Sequence, residues 1–406
     1  MTIEASGAGV EIGGPDCAEA LEPAEPAPET LRRFGITRVG DITGLDTIGI
    51  PVWFAIRPNS RGLSVSQGKG ITIRQARLSA IMEAIEGAVA EDTQRHVCEY
   101  GSVRTMSARH TSTVPLGRLS RVDVDCLDQD RERAWVRGFS VRTGEDVLAP
   151  YELIGLDFRA GFPWDRRAFH MSSLGLAAGF DCDRTILHAL LELIEHDACF
   201  LIDAMDTRSV RTRRVSIPPG IDPSLDGLID RLDKAELRAE FHDLTTGNGV
   251  PVVMASIERH FVALDGPGMR TAAGVACRLN PFEAVTAALL EAVQSRLTDI
   301  SGARDDLSTG RYRGKLAASI REEETTLPAM MPEGGELISA GASGARWQHL
   351  AAHLMASGVE DIYVFPLESG EPGIKVARVL ASGLSSSSTR SISRFSVSAL
   401  NAFMEP

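Results

Sequence analysis

A chain of 406 residues can bury a substantial core, either as one large domain or as two or three smaller ones. Its formal net charge of −13 argues against non-specific nucleic-acid binding, because neutralising phosphates requires a surplus of Lys and Arg. The chain has no run of about 18 uncharged apolar residues and no basic, then apolar, signal segment at its amino terminus. We therefore expect a cytoplasmic protein without a membrane span.

The two ends of the chain differ in composition from the rest. Residues 1–30 contain seven acidic residues and four prolines but no Lys or Arg, and such a segment buries too little apolar surface to offset the entropy of ordering. We predict a mostly disordered acidic leader over residues 1–30 and a folded domain over residues 31–384. The serine-rich stretch at 382–396 is typical of a flexible loop, so residues 385–406 are interpreted as a tail.

Between these ends the sequence predicts strands separated by long helical patterns. Each strand-like run is rich in β-branched and aromatic residues and is bounded by Gly, Pro or Asp. The runs are IPVWFAIRP at 50–58, VPVVMASIE at 250–258, DIYVFPL at 361–367 and IKVARVL at 374–380. This alternation indicates an α/β or α+β fold.

Three of the predicted helices share one register. Each begins after a residue that commonly caps helices, namely Thr72, Asp181 and Asn280. Eleven residues after each cap stands a glutamate, and fourteen residues after it stands a second polar residue. These pairs, which lie three residues apart and share a helix face, are Glu83 and Glu86, Glu192 and Glu195, and Glu291 and Gln294.

The surroundings of these pairs favour a metal site. A single pair of this kind is usually a solvated face or an ion pair with a neighbouring Lys or Arg, but here the flanking residues are largely apolar and few cations are near in sequence. A buried carboxylate is costly unless it is paired, hydrogen-bonded or bound to metal. Oxygen ligands suit Mg²⁺ or Ca²⁺, and Mg²⁺ usually bridges a few carboxylates to substrate phosphates. We therefore predict two or more Mg²⁺ ions with a nucleotide triphosphate.

A phosphate-binding element is expected nearby, and SVSQGKGIT at 64–72 is the candidate. Gly68 and Gly70 would let the backbone approach a phosphate, Lys69 offers a positive charge, and the following helix adds its N–H groups. The stretch does not have the spacing of a Walker A loop. Taken by itself it could equally be a surface turn.

The segments at 35–92, 172–198 and 280–306, which carry SAIMEAIEG, LLELIEH and LLEAVQSR, together resemble the YcaO family. The resemblance extends from about Leu31 to Leu384 and implies the YcaO-type fold, with three helices converging on a buried Mg²⁺–nucleotide site. It also implies an ATP-dependent enzyme that phosphorylates a backbone amide oxygen of a peptide. The Mg²⁺ and triphosphate ligands that it implies are Glu83, Glu86, Glu192, Glu195, Glu291 and Gln294, with Lys69, Ser79 and Arg296 contacting phosphates.

Four positions depart from the pattern of many family members. Gly87 and His196 stand where Arg often follows the second Glu of the first two motifs. Leu174 replaces a common Asn, and Arg278 replaces a common His. These changes leave open altered nucleotide contacts or a weakened enzyme.

The resemblance also narrows the chemistry. The stretch at 39–70 is most similar to the branch that acts with a TfuA-type partner, for which peptide thioamidation is implied. The chain ends SALNAFMEP instead of the proline-rich tail of azoline-forming members, which makes ring formation less favoured. We expect a ribosomal precursor peptide as substrate and a homodimer. Azoline cyclodehydration, macroamidine formation and a non-catalytic peptide-binding scaffold stay open, and no catalytic residue is assigned.

Overall fold

The computed structural model describes residues 24–204, 212–259, 271–302, 322–330 and 346–386. The strands, in chain order, are β1 (Arg38–Asp41), β2 (Val52–Ile56), β3 (Val65–Lys69), β4 (Val97–Gly101), β5 (Arg133–Ser140), β6 (Asp146–Pro150), β7 (Leu176–Gly179), β8 (Thr212–Ser216), β9 (Leu237–Asp243), β10 (Val252–Arg259), β11 (Thr271–Cys277), β12 (Glu322–Thr326), β13 (Asp361–Leu367) and β14 (Lys375–Ser382). The α-helices are α1 (Pro28–Arg33), α2 (Ile73–Ala90), α3 (Thr93–His96), α4 (Val103–Ala108), α5 (Tyr151–Ile154), α6 (Cys182–Ala204), α7 (Pro223–Lys234), α8 (Pro281–Ser301) and α9 (Arg346–Ala356).

The described strands form three sheets, which confirms the predicted mixed α/β class. β1, β2 and β3 form an antiparallel sheet in that order. A second sheet has the order β11-β10-β9-β8-β12, in which only the pairing of β12 with β8 is parallel. The third has the order β4-β5-β13-β14-β7, with β6 beside β5. The four runs predicted to be strands correspond to β2, β10, β13 and β14.

The three carboxylate helices begin where the caps predict. Thr72 Oγ1 accepts the N–H of Gln75 at 3.2 Å, and the Gln75 side chain accepts the N–H of Thr72 at 3.3 Å, which forms a capping box. Asp181 accepts the N–H of Arg184 at 2.9 Å, and Asn280 accepts the N–H of Phe282 at 2.9 Å. The three helices therefore start at equivalent positions relative to their pairs of polar residues, as the sequence predicts.

The helices cover the sheets in layers. α2 packs against β2 and β3 and against β7 of the six-stranded sheet, and its Ile81 and Ile85 belong to the same apolar cluster as Phe365. α6 and α9 cover the opposite face, where β13 presents the alternate side chains. α7 and α8 pack against the five-stranded sheet. None of the described helices combines the length and apolar composition that a bilayer crossing requires.

Three strands that end their sheets are brought together by these helices. β3 ends the first sheet, β11 the second and β7 the third. α8 contacts β3, α2 contacts β7 and α6 contacts β11. An unpaired strand edge presents N–H and C=O groups, so this meeting point supplies backbone hydrogen-bonding groups beside three helices.

The structure describes residues on both sides of the two predicted domain boundaries, at residues 31 and 384. α1 begins at Pro28, and Glu25 forms an ion pair with Arg77 of α2, so ordered contacts begin before residue 31. At the other end Ser385 and Ser386 are buried, and the Ser385 N–H donates to Asp197 at 2.7 Å. The rest of the predicted leader, residues 1–23, and of the tail, residues 387–406, lies outside the described residues.

Candidate active site

Lys69 lies where the three carboxylate helices meet. Its ammonium group forms an ion pair with Glu291 of α8. Burial lowers the pKa of Lys69 to about 8, and the nearby charges of Glu83 on α2 and Glu195 on α6 oppose that shift. One cation therefore interacts with acidic side chains from all three helices.

The acidic side chains of α2 and α6 also face one another. Burial raises the pKa of Glu86 well above its usual value, and the charges of Glu192 and Glu83 raise it further. Burial likewise raises the pKa of Glu192 to about 8, with the charge of Glu195 adding to the effect. We define the three-helix site as Lys69, Glu83, Glu86, Glu192, Glu195 and Glu291.

The edges of two sheets donate hydrogen bonds to this site. Immediately before β7, the Gly175 N–H donates to Glu192 Oε2 at 3.0 Å. Within β7, the Ala178 N–H donates to Glu86 and holds its pKa lower than burial alone would. At the end of β11, the Cys277 N–H donates to Glu195 Oε2 at 3.2 Å. Fixed backbone dipoles therefore orient carboxylates on α2 and α6.

The side chains present fit a magnesium-bound polyphosphate. Within the described ranges, no three His, Cys, Asp or Glu side chains are grouped closely enough to form a metal centre among themselves. The carboxylates are instead distributed over three helices, and Glu83 is exposed to solvent. This arrangement suits Mg²⁺, which usually takes one or two carboxylates and fills its other positions with phosphate oxygens and water.

The sequence-based argument that few cations lie nearby is wrong in three dimensions. Arg378 of β14 and Arg121 are both buried, and their charges act on Glu192. Arg278 lies beside Glu195 and lowers its pKa against the larger effect of burial. Arg121 and Arg378 are far in sequence from the motifs, so local sequence could not reveal them as partners, whereas Arg278 directly precedes the third carboxylate helix.

His188 is a further residue that the sequence argument missed. It lies one turn before Glu192 on α6, on the same face of the helix. Removal of water by the surrounding protein lowers its pKa to about 4, and the charges of Arg278 and Lys69 lower it too. The side chain has an exposed surface, and the charged groups that act on it are Arg278 and Lys69.

The stretch predicted to bind phosphate is β3 and a tight turn before α2. Its two glycines have packing roles, because a Cβ on Gly68 would lie 2.0 Å from Ala80 N and one on Gly70 would lie 2.5 Å from Gln75 Cβ. Both glycines thus let α2 approach β3 closely, and the approach of a phosphate to their backbone stays a prediction. Lys69 projects from this stretch to the acidic side chains.

The remaining predicted residues differ in their surroundings. Ser79 is half-buried on α2, one turn before Glu83 and on the same face. Gln294 is buried and its amide donates to Gln67 O of β3 at 3.4 Å. Arg296 binds Asp46 through two contacts, of 2.6 and 3.2 Å, so a carboxylate outside the three-helix site already engages its guanidinium. Their roles toward a nucleotide stay predictions.

A family model described as YcaO cyclodehydratase, ATP- and Mg²⁺-binding, matches residues 67–385. This chain belongs to the YcaO family. An uncharacterized protein in the tfuA 3′ region of Rhizobium leguminosarum bv. trifolii is 34% identical over 360 residues, covering 87% of this chain and 84% of that protein. An uncharacterized protein of Methanothermobacter thermautotrophicus is 30% identical and covers 90% of this chain and 94% of its own length.

Solved structures show the same fold. YcaO from Methanopyrus kandleri, bound with AMPPCP and Mg²⁺, superimposes with a TM-score of 0.65 at 22% identity and covers 88% of both chains. A heterocyclase in complex with substrate and cofactor gives a TM-score of 0.66 at 17% identity and covers 92% of this chain but 53% of its own. The predicted YcaO-type fold is confirmed.

The four residues that depart from the YcaO pattern have different surroundings. A Cβ on Gly87 would lie 3.2 Å from Arg57 Nη1, so a guanidinium from β2's end occupies the space beside it. Arg278 donates from Nη1 to Cys277 O at 2.7 Å. The Leu174 carbonyl accepts from Arg378, and His196 is half-buried beside Glu195. Arg378 carried one sequence signal, since it interrupts the apolar run VARVLA.

Proposed function

We propose that this chain is an ATP- and Mg²⁺-dependent enzyme that activates a backbone amide of a ribosomal precursor peptide by O-phosphorylation, with a thioamide as the product. The observation that carries the proposal is the placement of Lys69, in contact with or under the charge of acidic side chains from α2, α6 and α8. Membership of a family described as ATP- and Mg²⁺-binding supports it.

The residues of the site have separate tasks in this proposal. Glu83, Glu86, Glu192, Glu195, Glu291 and Gln294 would hold Mg²⁺ and, through it, the triphosphate. Lys69, with Ser79 and Arg296, would contact phosphate oxygens. Mg²⁺ would neutralise negative charge on the phosphates as the γ-phosphoryl group is transferred. The site therefore supplies charge stabilisation and positioning, which are the main protein contributions to phosphoryl transfer.

The chemistry proceeds in two steps. The amide oxygen attacks the γ-phosphorus of ATP. The bond between the γ-phosphorus and the oxygen that bridges it to the β-phosphate then breaks, and ADP leaves. A hydrosulfide ion then adds to the amide carbon, the C–O bond to phosphate breaks, and inorganic phosphate leaves with the former amide oxygen. Phosphorylation makes this possible because it converts a poor leaving group into a good one. His188, which is exposed and lies one turn before Glu192 on α6, is available to accept the proton of the sulfur nucleophile.

The choice of thioamide rests on the relative in the tfuA 3′ region, which supports a TfuA-type partner for this chain as well. Azoline formation is the second candidate, favoured by the cyclodehydratase description of the family and by the heterocyclase structure. Because the reaction consumes ATP, the proposal places the enzyme in the cytoplasm. A homodimer stays a prediction.

The test has two measurements on the full-length protein. We expect ATP consumption that depends on a precursor peptide encoded near this gene, with sulfide and the TfuA-type partner present. Mass spectrometry of the peptide should show a gain corresponding to the exchange of oxygen for sulfur. Loss of water would establish azoline formation or, with an amine nucleophile, an amidine. Peptide binding without release of ADP and phosphate would identify a non-catalytic scaffold and overturn the proposal.

A further inference from the structure

One peptide group lies between Arg378 and Glu192. Arg378 Nη1 donates to the Leu174 carbonyl oxygen at 2.7 Å. The N–H of the same peptide group belongs to Gly175 and donates to Glu192 Oε2 at 3.0 Å. A carbonyl that accepts from a cation makes its own N–H a stronger donor, because hydrogen bonds in a chain polarise one another.

The backbone around this peptide group has little freedom. The Val379 N–H donates to the Gly175 carbonyl at 2.7 Å, which fixes the following peptide group as well. Gly175 has a φ of +77°, and a Cβ there would lie 2.4 Å from Val379 O. Glycine is therefore required at this position. The N–H that reaches Glu192 cannot turn away without breaking the contact with β14.

Arg378 is poorly explained by folding stability alone. It is fully buried in β14, and its Nε donates to Ile154 O at 3.0 Å. Among the described residues its Nη2 has no hydrogen-bond partner, and an unsatisfied buried donor is destabilising. The charges of Glu192 and Glu86 act on the same guanidinium. The buried guanidinium of Arg378 therefore lowers stability through its unpartnered Nη2, yet it lies close enough to Glu192 and Glu86 of the three-helix site for their charges to act on it.

We propose that Arg378 is a positioning residue for Mg²⁺ binding and acts through the Leu174–Gly175 peptide group. It orients that group, the Gly175 N–H then fixes Glu192 Oε2, and Glu192 Oε1 is left to serve the metal. This inference rests on the proposed function, since it assigns Glu192 to Mg²⁺. The inference also gives the backbone carbonyl of Leu174 the role of accepting the hydrogen bond from Arg378. Any residue type at position 174 supplies that carbonyl.

The test is calorimetric binding of AMPPCP to the full-length protein at several Mg²⁺ concentrations, without peptide or turnover. Arg378→Met keeps the length and burial of the side chain but removes its charge and donors. We expect it to weaken the apparent Mg²⁺ affinity by about tenfold or more, as loss of a group that orients a metal ligand usually does. Nucleotide binding should recover as the Mg²⁺ concentration is raised. Arg378→Lys should retain part of the affinity, because an ammonium can still donate to one carbonyl.

Two further variants separate positioning from general destabilisation. Gly175→Ala removes no charge but displaces the peptide group, so it should reproduce the loss and carry the test if Arg378→Met does not fold. Arg133→Met is the matched control, because Arg133 is also buried but pairs with Glu152 and Asp165. It should lower the melting temperature and leave the Mg²⁺ dependence unchanged.

The outcomes distinguish this inference from the proposed function. Wild-type Mg²⁺ dependence in Arg378→Met, or in Arg378→Lys and Gly175→Ala where the first does not fold, would overturn the inference and leave the proposed function standing. An equal shift in Arg133→Met would also overturn it, because the effect would then follow stability. Absence of Mg²⁺-dependent AMPPCP binding in the wild type would remove both.

Discussion

The two sides of the three-helix site are built differently, although both come from the same helical spacing. On the side formed by α2 and α6, Glu86 and Glu192 receive backbone N–H groups and lie beside the buried Arg378 and Arg121. On the side formed by β3 and α8, the side chains of Lys69 and Glu291 are 26% and 34% exposed and bind each other.

This difference indicates a division of work. Fixed donors and buried cations hold the α2–α6 side in one geometry, as a metal site requires. The β3–α8 side relies on a flexible lysine that can exchange its carboxylate for another anion. A lysine ammonium is a mobile point charge and commonly binds phosphate in this way. In the proposed function the first side would therefore hold Mg²⁺ rigidly, and the second, where Glu291 is a further proposed Mg²⁺ ligand, would let Lys69 bind a nucleotide that must enter and leave.

The largest expected effect comes from breaking the α2–α6 side. Glu192→Gln keeps the shape of the side chain but removes its charge, so peptide-dependent ADP release should fall by about a hundredfold or more. Circular dichroism should show an intact fold. Glu83→Gln should behave similarly, whereas Glu240→Gln on β9, outside the site, is the control. Wild-type turnover in both site variants would remove the metal assignment.

Local pattern sufficed for the frame of this site but not for its environment. The caps Thr72, Asp181 and Asn280 fix the helix starts, and helix geometry then fixes which acidic residues share a face. Four of the fourteen described strands, β2, β10, β13 and β14, were evident from their apolar runs. Helix and strand periods are local properties, so a single sequence reveals them.

The rest depends on contacts between distant segments. Arg378 is 186 positions from Glu192 and Arg121 is 71 positions from it, and no local pattern pairs them. The packing role of Gly68 could not be predicted for a similar reason. A glycine beside a lysine is typical of phosphate loops, but the deciding atom is Ala80 N on the helix that follows. Only the tertiary structure shows that Gly68 has a packing role against α2.

The next largest effect is a loss of stability when the close packing of β3 on α2 is disturbed. Gly68→Ala places a methyl group 2.0 Å from a backbone nitrogen, so the helix or strand must shift, and overpacking of this kind costs about 1–3 kcal/mol. Urea unfolding should report the loss. The control is Gly161→Ala, where a Cβ has no heavy atom within 4 Å. Equal stability of the two variants would contradict the packing role of Gly68.

A smaller effect is expected from the β3–α8 side. Lys69→Met keeps the stem of the side chain but removes the cation, so AMPPCP affinity in saturating Mg²⁺ should fall by about tenfold, the value of one charge-assisted hydrogen bond. Unlike the Arg378 variants, this one should not recover as Mg²⁺ is raised. Lys234→Met, at a surface pair with Asp230, should bind normally. Recovery of AMPPCP affinity in Lys69→Met at higher Mg²⁺ concentration would contradict the separate roles of the two sides.

The smallest effect is a pH dependence of stability in metal-free protein. The folded pKa of Glu192 is about 8, against 4.5 ordinarily, so between these values the native state holds a proton that the unfolded chain has released. Stability must then fall as pH rises through this range. His188, with its pKa lowered to about 4 from 6.5, gives the opposite trend only below pH 6.5. Lys69, with its pKa lowered from 10.5 to about 8, makes stability rise only above pH 8.

The informative range is therefore pH 6.5 to 8, the interval between the ordinary pKa of His188 and the folded pKa of Glu192. Urea unfolding with a chelator should show stability declining across it. The decline should be shallower in Glu192→Gln but not absent, because burial also raises the pKa values of Glu86 and Glu195. Mg²⁺ should counteract the decline, since the ionised carboxylates that destabilise the metal-free fold are the form that binds metal. An identical slope in wild type and variant would place Glu192 in water and contradict the sheltered geometry of the α2–α6 side.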